Sequence, residues 1–451
     1  MNIPTPTVTW EEGPFGQMQP IWTSEPSVDA IKSVVRQNLD LDQTIEVDFL
    51  AQGGFNKLYS VKIGDTGHVY VMRVSLPVDP HLKVESEAAT IELVRQRTNI
   101  NVPGVIAFDS SNQNPLGYEW ILMKFMKGQV LETAWKAMTW GNKEELVKTV
   151  ARSLAELFEQ SFKGIGNIYF AKGGTAPRVG MLPSVENQMF NHTLRVMILV
   201  KWCQWRSSGT TVKNISFKYG AVKFDGGFNF DQDQAEGLTS SPDGLPPLST
   251  KPESISGHDD EEIEDAKSVV RLAEKLIESI PLFFSNASTE EAEVTYLYHD
   301  DVNRHNILAD PGEQGVLTAI LDWECVSTVP LWKACQYPLF LQGQPRHDEY
   351  FWPEAEQVAS GEEVEQVLYG AHILEYEQTK LRRIFEEEMT KVVPEWSEVR
   401  QKSIRQADFA LAVNWCDGPF THRRVKVWLE RTLAGKKEYQ RLEEVNLFEE
   451  S

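Results

Sequence analysis

Apolar residues recur at Ile31, Val34, Val35 and Leu39, the spacing of a helix over Val28–Leu39. The texture then changes. Ile45–Leu50, Lys57–Ile63 and Val69–Leu76 are short runs rich in Val, Ile, Tyr and Leu. Gly53-Gly54 and Gly64-Asp65-Thr66-Gly67 separate them. Three such runs with turn residues between them predict an antiparallel meander. His81–Arg97 returns to helical spacing through Ala88, Ile91 and Val94, and Val105–Asp109 and Trp120–Phe125 complete five strands. Residues 1–27, rich in Pro, Trp and Gly, read as an extended arm.

Past Gly128 the pattern turns helical. Asn142, with Glu145 three positions on, resembles a capping box, and the helix it opens would bury Leu146, Val150, Leu154, Leu157 and Phe158. Glu261–Ile280, Glu362–Met389 and Val399–Ala434 are further helical stretches; Val294–Tyr298 and Val316–Leu321 are short strand-like runs. Residues 209–259 hold clusters of Gly, Ser, Pro and Asp without a durable period. They read as a flexible insertion with a weak hairpin pattern at Val212–Phe230.

Charge and composition sharpen this picture. The 451-residue chain carries a formal net charge of −22. Between Asp225 and Asp265 twelve acidic residues face the single Lys251, so half the excess sits in that one segment. A nucleic-acid-binding surface is not expected on this balance. The four cysteines, Cys203, Cys325, Cys335 and Cys416, form no Cys-x-x-Cys pair. That argues against a disulfide scaffold or a zinc site and points to a reducing compartment. Residues 1–18 lack both a basic cluster and an apolar core, and no run of about 18 apolar residues occurs. The expectation is a cytoplasmic protein with no membrane span.

The chemistry concentrates in two segments. His299-Asp300-Asp301-Val302-Asn303-Arg304-His305-Asn306 follows the strand candidate Val294–Tyr298, and Leu321-Asp322-Trp323-Glu324 ends the next apolar run. Phosphoryl transfer from ATP needs one carboxylate to hold the attacking hydroxyl. It needs a carboxamide and a second carboxylate to hold the magnesium that bridges the phosphates. His-x-Asp-x-x-x-x-Asn followed by a strand-end Asp is the pattern of that set in kinase-like folds. Asp301 lies five residues before Asn306 and Asp300 does not, so spacing selects Asp301 as the catalytic carboxylate. Adjacent residues of an extended segment point to opposite sides, so Asp300 is not expected to face it. Asn306 and Asp322 are the metal candidates, since hard oxygen ligands suit magnesium. His299 reads as a brace for the loop backbone, and Glu324 as a lining residue. His258-Asp259-Asp260 repeats the letters, but Asp265 stands where the Asn should be.

With these motifs the chain, from about Val47 to Trp396, resembles the aminoglycoside phosphotransferase family in a form met among fungal proteins. The resemblance implies an α+β, bilobal protein-kinase-like fold. An N-terminal nucleotide-binding lobe, 28–127, would hold a five-stranded antiparallel sheet with one helix. A larger, mostly helical C-terminal catalytic and substrate lobe, 128–451, would contain the 209–259 insertion. Gly53-Gly54 would then be the nucleotide loop, where missing side chains let backbone amides approach phosphate. Arg73 stands where the family usually has Lys, and would grip phosphate differently from an ammonium. Glu87 would pair with Arg73 from the helix, with Glu85 as the runner-up. Met123 to Phe125 would recognise adenine through backbone groups. Asp300 also departs from the pattern, which usually has Gly there.

The implied activity is an ATP- and magnesium-dependent kinase acting on a hydroxyl, or an amine, of a small molecule. The alternative is a weak or inactive pseudokinase that serves as a nucleotide-binding interaction module. A protein kinase fits less well: Asp-Phe-Gly and Ala-Pro-Glu are missing, and Trp323-Glu324 stands in place of Phe-Gly. Acceptor contacts would come from roughly residues 165–205 and 330–420. Trp135, Trp140, Trp202, Trp205, Trp332 and Trp415 read as core or interface residues before pocket residues. Neither the acceptor nor the oligomeric state is legible.

Overall fold

The computed structural model describes residues 8–12, 18–40, 43–64, 67–171, 177–181, 257–284, 294–312, 315–324, 326–349, 362–418, 421–435, 439–445 and 447. The acidic insertion 209–259 lies outside these apart from its last three residues, as do Trp202, Trp205, Cys203 and Cys325. The chain divides into two compact units. The first comprises Met1–Leu182, Cys203–Thr210 and Glu291–Ser403; the second comprises Pro183–Trp202, Thr211–Glu290 and Ile404–Ser451.

The first unit opens with a hairpin of β1 (Thr9–Glu12) and β2 (Met18–Ile21), then α1 (Val28–Leu39). Ser27 caps α1: its hydroxyl accepts from the Ala30 N–H. The meander follows as β3 (Ile45–Gln52), β4 (Asn56–Ile63) and β5 (His68–Ser75). Next come α2 (Leu82–Arg97), β6 (Val105–Asp109) and β7 (Glu119–Lys124). The five expected strands form one antiparallel sheet, and the structure sets their order as β3-β4-β5-β7-β6.

Alternation along the strands gives the sheet two apolar faces. Tyr59, Val61, Met72, Val74, Trp120 and Leu122 pack with Ile31, Val34 and Val35 of α1. Val71, Ile121 and Met123 turn to the other side, with Val84 of α2. A further core joins α2 to the helical region: Ala89, Ile91, Leu93 and Val94 share a cluster with Leu157, Ile168, Leu297, Ile320 and Trp323.

Beyond β7 the first unit is mainly helical, built on α3 (Leu131–Ala134), α4 (Trp140–Phe158) and the 31-residue helix Glu362–Val392. Asn142 is not the cap of α4. Thr139 is in extended geometry, and its side chain accepts from the Asn142 N–H, so the helix starts three residues earlier than an Asn142 cap would place it. The region also carries two small sheets, of which the sequence marked only one strand each, at Val294–Tyr298 and Val316–Leu321. One runs β11-β10-β15-β12-β9 and the other β14-β13-β8. They comprise β8 (Gln129–Val130), β9 (Ser161–Lys163), β10 (Gly166–Phe170), β11 (Pro177–Met181), β12 (Val294–Tyr298), β13 (Ile307–Ala309), β14 (Leu317–Ile320) and β15 (Ser327–Pro330). Strands of two to five residues are too short to show a period. β12, β13 and β14 set the two chemical segments of the sequence at their ends.

In the second unit the helices Gly257–Phe283, Ile404–Trp415 and His422–Leu433 share a core of Leu276, Phe283, Phe409 and Trp428. Asp408 is fully buried there. It accepts from Arg441, the Tyr439 hydroxyl and the Leu442 N–H, which satisfies its charge. No described helix is long and apolar enough to cross a membrane.

The α1–sheet contact can be tested directly. Ile31→Ala is expected to cost about 2–5 kcal/mol, because Ile31 is wholly buried. Phe49→Ala, on the same sheet but 60% exposed, should change stability by less than about 0.5 kcal/mol. The urea-unfolding midpoint reads both.

Candidate active site

The site starts at the first turn of the meander. Gly53, Gly54 and Phe55 link β3 to β4, and the Gly53 N–H donates to the Asn56 carbonyl at 2.9 Å. A Cβ on Gly53 or Gly54 would meet nothing within 4 Å, and neither glycine has a positive φ. Internal packing therefore does not require glycine at either position. What their bare backbone leaves is an open approach over the turn.

Beneath the turn lies a buried charge cluster. Arg73, on β5, stands opposite Leu58 and Ile121. Its Nη1 meets Glu87 Oε1 at 3.0 Å; its Nη2 meets Asp322 Oδ1 at 2.8 Å and Glu324 Oε2 at 2.6 Å. Glu87, rather than Glu85, reaches Arg73 because it lies on the inner face of α2. Lys83, one turn earlier on that face, pairs with Glu324 at 2.7 Å and donates to Asn56 Oδ1 at 2.8 Å. The Asn56 amide in turn donates to both Glu324 oxygens, and Ser75 Oγ donates to Asn56 Oδ1.

Two cations and three carboxylates thus meet here, all but the partly exposed Asp322 withdrawn from water. Burial alone would lower the Arg73 pKa, but Glu87, Glu324 and Asp322 outweigh it and keep the guanidinium charged. Burial would raise Glu324 too, yet Lys83 and Arg73, with hydrogen bonds from Lys83 and Asn56, hold it down at about 2. Glu87 goes the other way. Burial raises it, Arg73 opposes, and the nearby Glu324 and Asp322 add to the rise.

The first chemical segment, His299 to Asn306, forms a tight loop between β12 and β13. His299 is 3% exposed; its Nε2 donates to the Leu321 carbonyl at 3.1 Å, and its Nδ1 accepts from the Asp301 N–H at 3.3 Å. Burial lowers its pKa, so it is a neutral brace. Asp301 accepts from the Asn303 amide at 2.7 Å and from the Asn306 amide at 2.9 Å. Burial raises its pKa above the ordinary carboxylate value, against the Asn303 bond. Asp300 turns the other way and accepts from Lys333 Nζ at 2.9 Å, which explains a carboxylate beside Asp301 without repulsion. Arg304 pairs with Glu132, and buried Val302 accepts through its carbonyl from the Phe340 N–H, so the loop is anchored on both sides.

Asn306 and Asp322 are brought together by the β13–β14 pairing. Ile307 faces Ile320, and the Leu321 N–H donates to the Asn306 carbonyl at 2.8 Å. Asp322 has φ 61, a left-handed conformation that Asp tolerates better than most residues. Trp323, 1% exposed, donates to the Ile320 carbonyl and lies edge-on to His299 with ring centroids 4.9 Å apart. The core Trp thereby sets Asp322 and Glu324 on either side of itself.

Met123 is buried among Val71, Val84 and Ile121. Phe125 is exposed, and its N–H donates to the Val69 carbonyl at 3.3 Å; the Lys124 N–H donates to Gly104. These donors of the expected adenine-facing stretch are committed to the protein itself. Sequence reasoning missed Lys83, Asn56 and Lys333. The one available signal was Lys83 standing four residues before Glu87.

An Arg on the third strand of the N-terminal sheet pairs with a Glu of the following helix. An Asp and an Asn close a loop below, beside a strand-end Asp. The fold is kinase-like. Comparison with known proteins adds relatives. No family model matches the chain. A subtelomeric hrmA-associated cluster protein of Aspergillus fumigatus is 29% identical over 133 residues, 29% of this chain and 26% of that protein. "Altered inheritance of mitochondria protein 9, mitochondrial" of Candida dubliniensis is 27% identical over 129 residues, 26% of this chain and 20% of that protein. The matches thus span about a quarter or less of these relatives. Among solved structures, similar chains are aminoglycoside phosphotransferases and related small-molecule kinases. ADP-bound APH(2'')-Ib is 11% identical, with 91% of this chain and 97% of that one covered and a TM-score of 0.41. The Plasmodium vivax ethanolamine kinase is 12% identical, with 86% and 78% covered and a TM-score of 0.38. The expected cytoplasmic location is overturned, because several yeast relatives carry a mitochondrial designation in their names. Residue types at the chain start were too weak a guide.

The cluster's titration has a definite sign. Glu87 is raised in the fold, so the folded protein binds the extra proton and stability at this group falls as pH rises from the ordinary carboxylate range towards neutrality. Glu324 is depressed, so its contribution is present above the ordinary carboxylate pKa and is lost as pH falls towards about 2. Urea midpoints measured against pH should show Glu87→Gln removing the first slope and leaving the second.

Proposed function

We propose that this chain is an ATP- and magnesium-dependent phosphotransferase of the aminoglycoside phosphotransferase family, acting on a hydroxyl of a small molecule. The observation that carries the reading is the Asp301 carboxylate held by Asn303 and Asn306 beside Asp322. Asp301 would orient the acceptor O–H and take its proton late, as the acceptor oxygen bonds to the γ-phosphorus and ADP leaves. Two hydrogen bonds fix the carboxylate's direction, so orientation costs nothing at the moment of reaction.

Magnesium fits the residues present. The Asn306 amide nitrogen is engaged by Asp301 and Asp322 Oδ1 by Arg73. Asn306 Oδ1 and Asp322 Oδ2 have no hydrogen-bond donor among the described residues. Two hard oxygens leave room for water and phosphate, as magnesium prefers. When bound there it would neutralise the charge gathering on the phosphates. The bare turn at Gly53-Gly54 would let backbone N–H groups approach the phosphates.

The relatives' names favour a mitochondrial setting. A second reading has one observation behind it: Arg73, in the place usual for Lys, is committed to three carboxylates. On that reading the chain binds nucleotide without turnover.

A magnesium-dependent ATP-consumption screen against hydroxylated metabolites separates the two. Turnover that Asp301→Asn lowers by about 10²–10⁴-fold, with ATP binding retained, supports the transferase. Unchanged turnover in that variant sinks the assignment, and no turnover with any acceptor favours the binding module. The wild-type rate should fall on acidification at a pH above the usual carboxylate range, because burial raises Asp301. Asp322→Asn keeps a residue that tolerates the left-handed φ. It should weaken ATP binding only when magnesium is present, as titration calorimetry with and without the metal would read.

A further inference from the structure

We propose that Lys83, entering from the first turn of α2, is the cation that grips the nucleotide's phosphates, and that Glu324 holds the place of those phosphates until nucleotide arrives. The inference rests on the ATP-dependent reading above and assigns a group within its site.

Four donor contacts converge on the Glu324 carboxylate. Arg73 Nη2 lies at 2.6 Å and Lys83 Nζ at 2.7 Å from Oε2; the Asn56 amide donates to Oε1 at 3.3 Å and to Oε2 at 3.1 Å. Two cations and an amide around one anionic oxygen pair form a site a phosphate could occupy by the same contacts. It lies under the nucleotide-loop candidate. Asn56 is the first residue after Gly53-Gly54-Phe55, and Lys83 Nζ is 6.0 Å from the Phe55 ring centroid.

Arg73 is poorly placed to do the gripping itself. Its Nη1 is held by Glu87 and its Nη2 by both Asp322 and Glu324. Planar and pinned on both sides, it ties β5 to α2 and to the Asp322 segment. Lys83 differs in kind. Its ammonium has three donors on a flexible stem, and Glu324 and Asn56 use two of them among the described residues. Rotation of that stem can follow a phosphate without dismantling the Arg73–Glu87 pair. The lysine function that the third strand lacks would thus come from the helix, one turn before Glu87.

The test measures Kd for ATP with magnesium and for adenosine, using the full chain and its Lys83→Met, Lys83→Arg and Glu324→Gln variants. Lys83→Met keeps the stem and removes the charge. It is expected to weaken ATP binding by about tenfold or more and leave adenosine binding unchanged. Lys83→Arg should recover part of the loss. Glu324→Gln, which leaves Lys83 in place and weakens the internal competitor, should bind ATP more tightly than wild type. Equal ATP affinity in wild type and Lys83→Met overturns the inference while the reading of function stands. So does a parallel loss of ATP and adenosine, the mark of a structural role, or weaker ATP binding by Glu324→Gln. Failure of wild type to bind ATP overturns the reading itself, and the inference with it.

Discussion

The ion pairs of Arg73 hold the site together. One guanidinium bridges β5 to α2 through Glu87, and β5 to the segment after β14 through Asp322 and Glu324. Each of these carboxylates would be expensive to bury alone, and each is admitted because a cation or an amide meets it. With Lys83 included the cluster still carries one more carboxylate than cation. Burial lifts Glu87, Arg73 opposes it and the neighbouring carboxylates add to the rise, while Glu324, gripped by both cations, is pulled down.

The apolar core supplies the rigidity this cluster needs. Trp323 packs into the cluster that joins α2 to β10, β12 and β14, so the carboxylates on either side of it move only with that core. His299 adds a cross-brace from the Asp301 backbone to Leu321. The loop residues are therefore positioned by neighbours without chemical duties, which is how a strained φ at Asp322 can persist.

Much of this was legible in the chain alone. Alternation and Gly turns marked β3 to β5, and the resemblance completed the sheet. The Asp301–Asn306 interval pointed to one loop that the structure closes with hydrogen bonds. Helical spacing favoured Glu87 over Glu85, since only one of two residues two apart can face inward. Other features left no local trace. Thr139 outcompeted Asn142 as a cap because capping depends on backbone direction, which the letters do not state. Apart from Val294–Tyr298 and Val316–Leu321, the strands of the small sheets were hidden by their shortness. Lys333 went unremarked, and Lys83 had only its place four residues before Glu87, because a lysine declares its role only through the carboxylate it meets.

By itself the sequence determined the order of the longer elements, the two chemical segments and the type of chemistry they could hold. These rest on local period and on short intervals along one strand or loop. Only the tertiary structure decided which carboxylates share Arg73, that Asp300 belongs to Lys333, and that Lys83 lies under the Gly53-Gly54 turn. Those are encounters between residues up to about 250 positions apart, such as Arg73 with Asp322 and Glu324. Packing of the core, rather than any neighbour in sequence, sets the distance between them.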